Sequence, residues 1–158
     1  MQRRELRNIK RSPKAIGAFA FKKLKKGDLP EPWKKMGGGR YRTTGLLQAD
    51  DDSIVVFITR DGETRDRKRF MGFLSRRVAT GLEPVFILHY HPSHKAVHAL
   101  VNCESSYNYV NRQLPGAKEF SLKAPADLDP VDDSLQLVAV FCSRFGIRIK
   151  PQGEDLLQ

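Results

Sequence analysis

The stretch from Pro84 to Cys103, "PVFILHYHPSHKAVHALVNC", decides the fold, because two apolar segments flank the short polar connection "PSHK". Short apolar segments of this kind predict two strands, over 84–91 and 96–103, joined as a hairpin. A connection of two or four residues pairs His91 with Ala96 and His89 with His98. One face is then almost wholly apolar and must cover the core. That face carries Phe86, Leu88, Tyr90, Val97, Ala99, Val101 and Cys103.

All four histidines of the chain lie within residues 89–98. On the predicted register His89, His91 and His98 share the second face, where cross-strand neighbours lie within roughly 5 to 7 Å. Imidazoles in this arrangement can hold a divalent metal, relay protons, or contact phosphate when protonated. A polar sheet face without any ligand explains the same pattern, and a three- or five-residue loop would abolish the cluster.

The segments around the hairpin predict an α+β domain. "SIVVFIT" (53–59) is typical of a buried strand, and a helix is expected over 64–80 because its apolar residues recur at helical spacing. After the hairpin we expect a short helix over 105–113 and a strand at "EFSLKA" (119–124). The resulting order is β-α-β-β-α-β, the antiparallel-sheet pattern of ferredoxin-like and RRM-like domains.

Two further helices are predicted outside this core. Ser12 and Pro13 form an N-cap and N1 pair, which predicts a basic N-terminal helix that ends at Gly27, and the residues before it are expected to be mobile. A C-terminal helix is expected over 130–144, and "IRIK" (147–150) is expected to add a strand.

The length of the chain is that of one domain. We expect residues 1–40 to form a basic extension with a short helix and a Gly-rich loop. Residues 41–150 then form a single α+β domain, and residues 151–158 form a C-terminal tail.

The charge of the chain favours a polyanionic partner. Lys and Arg number 28 against 18 Asp and Glu, which gives a formal net charge of +10. A surplus of this size indicates nucleic acid, with single strands favoured, although a solubilising tail explains it too. Trp33, Tyr41 or Tyr107 could stack on bases. The candidate contacts are Arg40, Arg42, Arg65, Lys68, Arg69, Arg76, Lys95 and Arg112.

The cysteines and the apolar runs bear on the compartment. Cys103 and Cys142 are the only cysteines, so a disulfide framework is not expected and a reducing cytoplasm is the default. Both thiols are expected to be buried and inert. The apolar runs are far shorter than the roughly 20 residues that span a bilayer, so no membrane partner is expected.

"HYH", from His89 to His91, resembles the His-hydrophobe-His strand of HUH endonucleases, the replication initiators and relaxases of plasmids and phages. "YVNR", from Tyr109 to Arg112, is similar to the Tyr-x-x-Lys of that family. The resemblance implies that the histidines hold a metal and that Tyr109 attacks DNA. The sequence departs from the family at Pro92, where apolar residues are usual, and Tyr109 lies closer to the histidines.

The stretch from Val55 to Gly116 resembles archaeo-eukaryotic primase-polymerases and RepB-like plasmid primases. "VVFITRDGE" is similar to their apolar strand with an acidic pair, "PSHKAVHALV" to their Ser-rich turn and strand histidine, and "RQLPGAKEF" to an Arg-x-Pro-Gly segment. The turn glycines of the family are missing. Its later metal-binding aspartate could be supplied by Asp127 or Asp129 only if the chain folds back.

This second resemblance implies a metal-dependent site. Asp61 and Glu63 would ligate Mg²⁺ or Mn²⁺. His89 and His91 are candidate metal ligands by the first resemblance, and Zn²⁺ is an alternative metal. His98 and Lys95 would contact the incoming nucleotide. "RDGE" is also an ordinary turn sequence, which leaves a purely structural role for Asp61 and Glu63 open.

Three functions therefore remain at this stage. The first is a metal-dependent primase-like or nicking enzyme of a plasmid, phage or other mobile element, with His98, His89, Asp61 and Tyr109 as catalytic residues. The second is a non-catalytic RNA- or DNA-binding module with an RRM-like sheet. The third is a small metal-dependent hydrolase that uses the histidines.

Overall fold

A computed structural model describes residues 3–91, 96–101 and 128–152 of the chain. The described elements form an α+β fold with one large, mostly antiparallel sheet. In chain order they are α1 (Arg3–Arg11), β1 (Lys14–Ile16), β2 (Lys22–Lys23), β3 (Tyr41–Thr43), β4 (Leu47–Gln48), β5 (Ile54–Arg60), a 3₁₀ turn (Arg65–Arg67), β6 (Arg69–Val78), β7 (Gly81–His91), β8 (Ala96–Val101), α2 (Ser134–Arg144) and β9 (Ile147–Ile149).

The centre of the sheet is a meander of consecutive antiparallel strands, from β5 through β6 and β7 to β8. Strands β3 and β2 extend the sheet beyond β5, and the short β4 also pairs with β5. The hairpin predicted from the sequence is confirmed, because the register pairs His89 with His98 and His91 with Ala96. The predicted strand over 53–59 is confirmed as β5.

One face of the sheet is covered by α2 and α1. Phe86 of β7 stacks on Phe145 at a centroid distance of 4.5 Å, and Phe57 of β5 meets Phe141 edge-on at 5.4 Å. Gly72 of β6 lets this aromatic layer approach, since a Cβ there would lie 3.0 Å from the Phe141 ring. The predicted apolar face of the hairpin is thereby confirmed for its described β7 side chains, which all belong to this core: Phe86, Leu88 and Tyr90.

The opposite face of the sheet is covered by residues 22–42, named here the lysine loop. Leu24, Leu29 and Trp33 of this loop pack on Phe73 and Ile87 and form a second apolar cluster. The Trp33 and Phe73 rings lie 5.3 Å apart. The central strands β5, β6 and β7 are therefore buried on both faces.

The predicted helix over 64–80 is wrong, because this segment is mainly β6. Phe70 and Leu74 face α2, whereas Met71 and Phe73 face the lysine loop. A strand buried on both faces reads as a continuous apolar run, and periodicity cannot distinguish such a run from a helix. The RRM-like order is not confirmed, since β5 and β6 are joined as a hairpin. The predicted elements over 105–113 and 119–124 lie outside the described residues.

The N-terminal prediction is also corrected. The helix occupies Arg3–Arg11 and not 12–27, and Pro13 ends it, because proline disfavours helical conformation in the residue before it. Residues 4–11 are ordered, with Leu6 buried in the core beside α2. Strand β1 then pairs in parallel with β9, the strand predicted at 147–150.

Lys14 is buried between the carboxyl ends of the two helices, with only 2% of its surface exposed. Its ammonium donates hydrogen bonds to the carbonyl oxygens of Ile9, Ser12 (2.7 Å) and Phe145 (2.9 Å). Pro13, four residues after Ile9, has no N–H to offer, so the Ile9 carbonyl lacks its usual helical donor. Burial lowers the pKa of Lys14, although the nearby carboxylates of Asp51 and Asp50 oppose this shift.

The C-terminal helix is confirmed as α2. Cys142 lies on its buried side, and burial raises the pKa of that thiol to about 12, as expected for an inert cysteine. Neither helix in the described part of the chain could cross a bilayer, since α1 has nine residues and α2 has eleven.

Candidate nucleic-acid interface

The lysine loop is an ordered platform. Its backbone is cross-linked by hydrogen bonds from the Gly27 N–H to the Lys34 carbonyl and from the Gly38 N–H to the Leu24 carbonyl, both 2.9 Å. Trp33, at its centre, is only 1% exposed. Cations on this loop are therefore held on a backbone that is anchored to the core.

Gly37 allows two segments of the lysine loop to pack closely against each other. Its φ is +152°, and a Cβ at this position would lie 2.3 Å from the backbone nitrogen of Lys26. The chain at Gly37 thus runs too close to the neighbouring segment for any side chain. Gly39, two residues later, has open space around it.

We expect Gly37→Ala to displace the lysine loop, because backbone atoms cannot yield to a methyl group at that distance. Trp33 is the chain's only tryptophan, so its fluorescence emission should shift to longer wavelength as the indole becomes exposed. Gly39→Ala is the matched control and should leave the emission unchanged. An unchanged spectrum for Gly37→Ala would contradict this description of the loop.

The lysine loop carries a dense positive charge. Its only acidic residues are Asp28 and Glu31, and Asp28 is engaged by accepting a 3.0 Å hydrogen bond from the Lys25 N–H. Cations that are kept this close repel one another, and a bound polyanion would relieve that repulsion. Eight of its side chains are exposed cations: Lys22, Lys23, Lys25, Lys26, Lys34, Lys35, Arg40 and Arg42.

The basic surface continues onto the rim of the sheet. The Arg60 guanidinium lies 5.7 Å from the centre of the half-buried Tyr41 ring, and Arg60 pairs with Arg69 across β5 and β6. The Arg69 guanidinium is fixed by donating to the carbonyls of Asp66 (2.6 Å) and Lys68 (2.8 Å). Guanidinium planes held in this way can contact phosphate or stack on bases.

His89 lies beside this basic surface. Its half-buried ring meets Phe73 edge-on at 6.3 Å, on the sheet face that the lysine loop covers. For His91 and His98 the structure gives only their strand pairing, with Ala96 and with His89 respectively. His94, Lys95, Tyr109 and Arg112 fall outside the described residues.

Asp61 and Glu63 each face a cation. Glu63 pairs with Arg40 at 3.3 Å, and the Asp61 carboxylate lies 4.0 Å from the Lys68 ammonium. The same ammonium contacts Asp129 at 3.0 Å, just before α2. The chain does fold back to bring Asp129 near Asp61, with the Lys68 ammonium between them. Asp61 follows the end of β5, whereas His89 lies two strands away on β7, where it pairs with Met71 of β6.

The ion pair between Lys68 and Asp129 shifts the pKa values of both side chains. The hydrogen bond to Asp129 raises the pKa of Lys68, although partial desolvation opposes this. Burial is the largest single influence on Asp129 and raises its pKa. Hydrogen bonds from the Asp132 N–H, the Lys68 ammonium and the Val131 N–H outweigh burial and hold the pKa of Asp129 below its ordinary value.

Asp129→Asn should therefore change the pH dependence of stability. The folded chain lowers the pKa of Asp129, so the stabilisation is present above the ordinary carboxylate pKa and is lost as the pH falls through the lowered value. We expect the free energy of unfolding to drop by about 1 kcal/mol at neutral pH and by less at about pH 2. Urea unfolding at both pH values measures this, with the exposed Asp66→Asn as control. Equal losses at both pH values would contradict it.

The other predicted contacts are scattered. The Arg65 guanidinium donates to the Leu128 carbonyl at 3.3 Å on the α2 side, and Arg76 pairs with Glu83 at 3.2 Å near the far end of the sheet. Arg65 and Arg76 therefore do not join Arg40, Arg42 and Arg69 in one surface, and the Lys68 ammonium, although its residue adjoins Arg69, is engaged by Asp129.

Lys22, Lys23, Lys25 and Lys26 were not among the contacts predicted from the sequence. A usable signal was present, because Leu24, Leu29 and Trp33 interrupt the lysines at positions that can anchor the chain. A solvated basic tail has no such anchors.

Chemically, the lysine loop and the adjoining strand rim offer cations on an anchored backbone beside the Tyr41 ring. Across residues 4–90 and 128–152, whose side chains are described, no group of three His, Cys, Asp or Glu residues is placed to hold a metal ion. The metal ligands inferred from the resemblances thus stay predictions.

Comparisons were made with protein-family models, with curated proteins and with solved structures. None of them found a match. The resemblances to primases and HUH endonucleases therefore rest on the quoted motifs alone.

Proposed function

We propose that this protein binds single-stranded nucleic acid through the lysine loop and the adjoining rim of β5 and β6. The observation that carries this proposal is the set of eight exposed cations, with only two acids among them, on a loop anchored by buried Leu24, Leu29 and Trp33. Anchoring matters because a backbone that is already fixed loses little conformational entropy when its side chains meet phosphates.

The shape of this surface favours single strands over duplex. It consists of a loop and a strand rim, and in the described chain no helix projects from it into a groove. The Arg60 guanidinium over Tyr41 offers a flat group for base stacking, which a single strand can use and a stacked duplex cannot.

Fluorescence anisotropy with labelled oligonucleotides tests the proposal. We expect a single strand of mixed sequence to bind the whole chain more tightly than the matching duplex. The logarithm of its association constant should fall linearly with the logarithm of salt concentration, by about 0.7 for each phosphate contact. Absence of binding at low salt, or an affinity that salt does not change, would refute the proposal.

A metal-dependent primase-like or nicking enzyme is a second candidate. Two observations favour it: β7 and β8 pair His89 with His98, and Asp129 folds back toward Asp61 as the primase resemblance requires. Against it, Lys68 and Arg40 already neutralise the carboxylates of Asp61 and Glu63. If Mn²⁺-dependent nucleotide incorporation exists, Asp61→Ala should abolish it while folding is retained, and a fully active Asp61→Ala variant would exclude the primase mechanism.

A further inference from the structure

A row of large polar side chains crosses the rim of the sheet beside the lysine loop. Tyr41 pairs with Arg60 across β3 and β5, and Arg60 pairs with Arg69 across β5 and β6. Side chains alternate along a strand, so this row lies on the same face as Ile58 and Met71, which pack under the lysine loop. Neighbouring strands lie about 4.8 Å apart, and the row therefore extends over roughly 10 Å.

Arg60 and Arg69 stand directly opposite each other in this row. Like charges in that position destabilise a sheet unless an opposite charge lies nearby. In the described part of the chain neither guanidinium has a carboxylate partner. An anion bound beside both arginines would relieve their repulsion.

The two guanidinium groups are held in different ways. Arg60 is exposed, and its guanidinium lies 5.7 Å from the centre of the Tyr41 ring, in cation–π contact. The half-buried Tyr41 packs against the second apolar cluster, which fixes the position of the ring. The Arg69 guanidinium uses one nitrogen to bond the carbonyls of Asp66 and Lys68, and its remaining N–H groups have no partner among the described residues. Arg60 can therefore offer the side of its guanidinium that faces away from Tyr41, and Arg69 can offer its remaining donors.

We propose that this row binds one nucleotide unit of a single strand, with the base stacked on Arg60 and the adjoining phosphate bonded to Arg69. The inference rests on the proposed function and specifies its ligand, because the row would favour base-bearing strands over polyanions without bases, such as inorganic polyphosphate. A guanidinium plane can stack on any base, so this subsite has no sequence preference. Tyr41 is a positioning residue, which supports the Arg60 guanidinium on its other side.

Two labelled strands of equal length test this, one of mixed DNA sequence and one whose sugars carry no bases. We expect the parent to bind the base-bearing strand about tenfold more tightly, because stacking adds to the phosphate contacts that both strands share. The salt dependence of the two affinities should be the same, since the number of phosphate contacts is the same. Fluorescence anisotropy measures both quantities.

Arg60→Lys keeps the charge but removes the planar group. It should weaken binding of the base-bearing strand by about fivefold and leave binding of the abasic strand within about twofold. Arg40→Lys is the matched control, because Arg40 is exposed and has no aromatic ring beside it in the described chain. This control should keep the preference for the base-bearing strand, whereas Tyr41→Leu should reduce that preference as Arg60→Lys does.

The outcomes separate this inference from the proposed function. Equal affinity of the parent for the two strands, or an Arg60→Lys variant that keeps the full preference, would overturn the stacking subsite and leave nucleic-acid binding by the lysine loop in place. Equal losses for both strands in Arg60→Lys would also overturn it, because Arg60 would then contact phosphate and not a base. If the parent binds neither strand at low salt, the proposed function fails as well.

Discussion

Replacement of Lys25, Lys26, Lys34 and Lys35 by glutamine is expected to lower the affinity for a single-stranded oligonucleotide by about 100-fold at 0.1 M salt. Each phosphate contact contributes a factor of about 5 at that salt concentration, since the slope for single strands is about 0.7 per contact. Three of the four lysines in contact would suffice for the predicted loss. The four side chains are exposed, so the fold should be retained.

The salt dependence gives an independent readout of the same change. If these lysines contact phosphates, the slope of the logarithmic plot should become shallower by about 2 to 3 in the quadruple variant. A loss of affinity with an unchanged slope would show that the substitutions act on the fold or on stacking instead of on phosphate contacts.

The double variant Arg4→Gln/Arg11→Gln is the matched control. Both arginines are exposed on α1, whose Leu6 packs into the core on the opposite face of the sheet. This double change should be compared with Lys34→Gln/Lys35→Gln, which removes the same charge. We expect the α1 variant to stay within about twofold of the parent. A larger loss in the α1 variant would move the interface to α1 and refute the assignment to the lysine loop.

Lys14→Met is expected to lower the free energy of unfolding by about 3 kcal/mol. Methionine has a similar length and fills similar space, but it leaves the carbonyls of Ile9, Ser12 and Phe145 without the ammonium that bonds all three. Buried acceptors without a donor cost about 1 to 3 kcal/mol each, and relief of the buried charge offsets part of this. For a chain of this size the loss corresponds to a fall of roughly 10 °C in Tm.

Urea unfolding and thermal unfolding both measure this effect. Lys23→Met is the control, because Lys23 is exposed on β2 and its replacement should change stability by less than about 0.5 kcal/mol. Equal stability of Lys14→Met and the parent would show that the Lys14 ammonium does not join the two helix ends. Oligonucleotide binding should survive in Lys14→Met below its melting temperature, since Lys14 is remote from the lysine loop.

Local patterns predicted the elements that bury one face or begin at clear signals. The strand from Ile54, the hairpin of β7 and β8 with its register, and the helix that ends at Arg144 all follow from short-range alternation and from turn or cap residues. Local patterns failed to predict the element where both faces of a strand are covered. The aromatic residues of β6 are compatible with a helix until it is known that α2 covers one side and Trp33 the other.

The same limit applies to the candidate interface. Arg40, Arg42 and Arg69 were predicted and lie on or beside the lysine loop, whereas Arg76, a candidate contact on the predicted helix over 64–80, lies near the other end of β6. A strand extends about 3.3 Å per residue, so residues that share a helical face become separated along its length. Because β6 was predicted as a helix, Arg76 was grouped with cations that lie far from it in the structure.

The sequence by itself determined the net charge, the α+β class and the histidine-bearing hairpin, because these depend on residue type and on spacing over a few positions. Only the tertiary structure decided which cations share a surface, which carboxylates are already neutralised, and that Lys14 joins two helix ends. Those outcomes depend on contacts between residues far apart in the chain, such as Lys68 with Asp129 and Lys14 with Phe145. No local pattern specifies them.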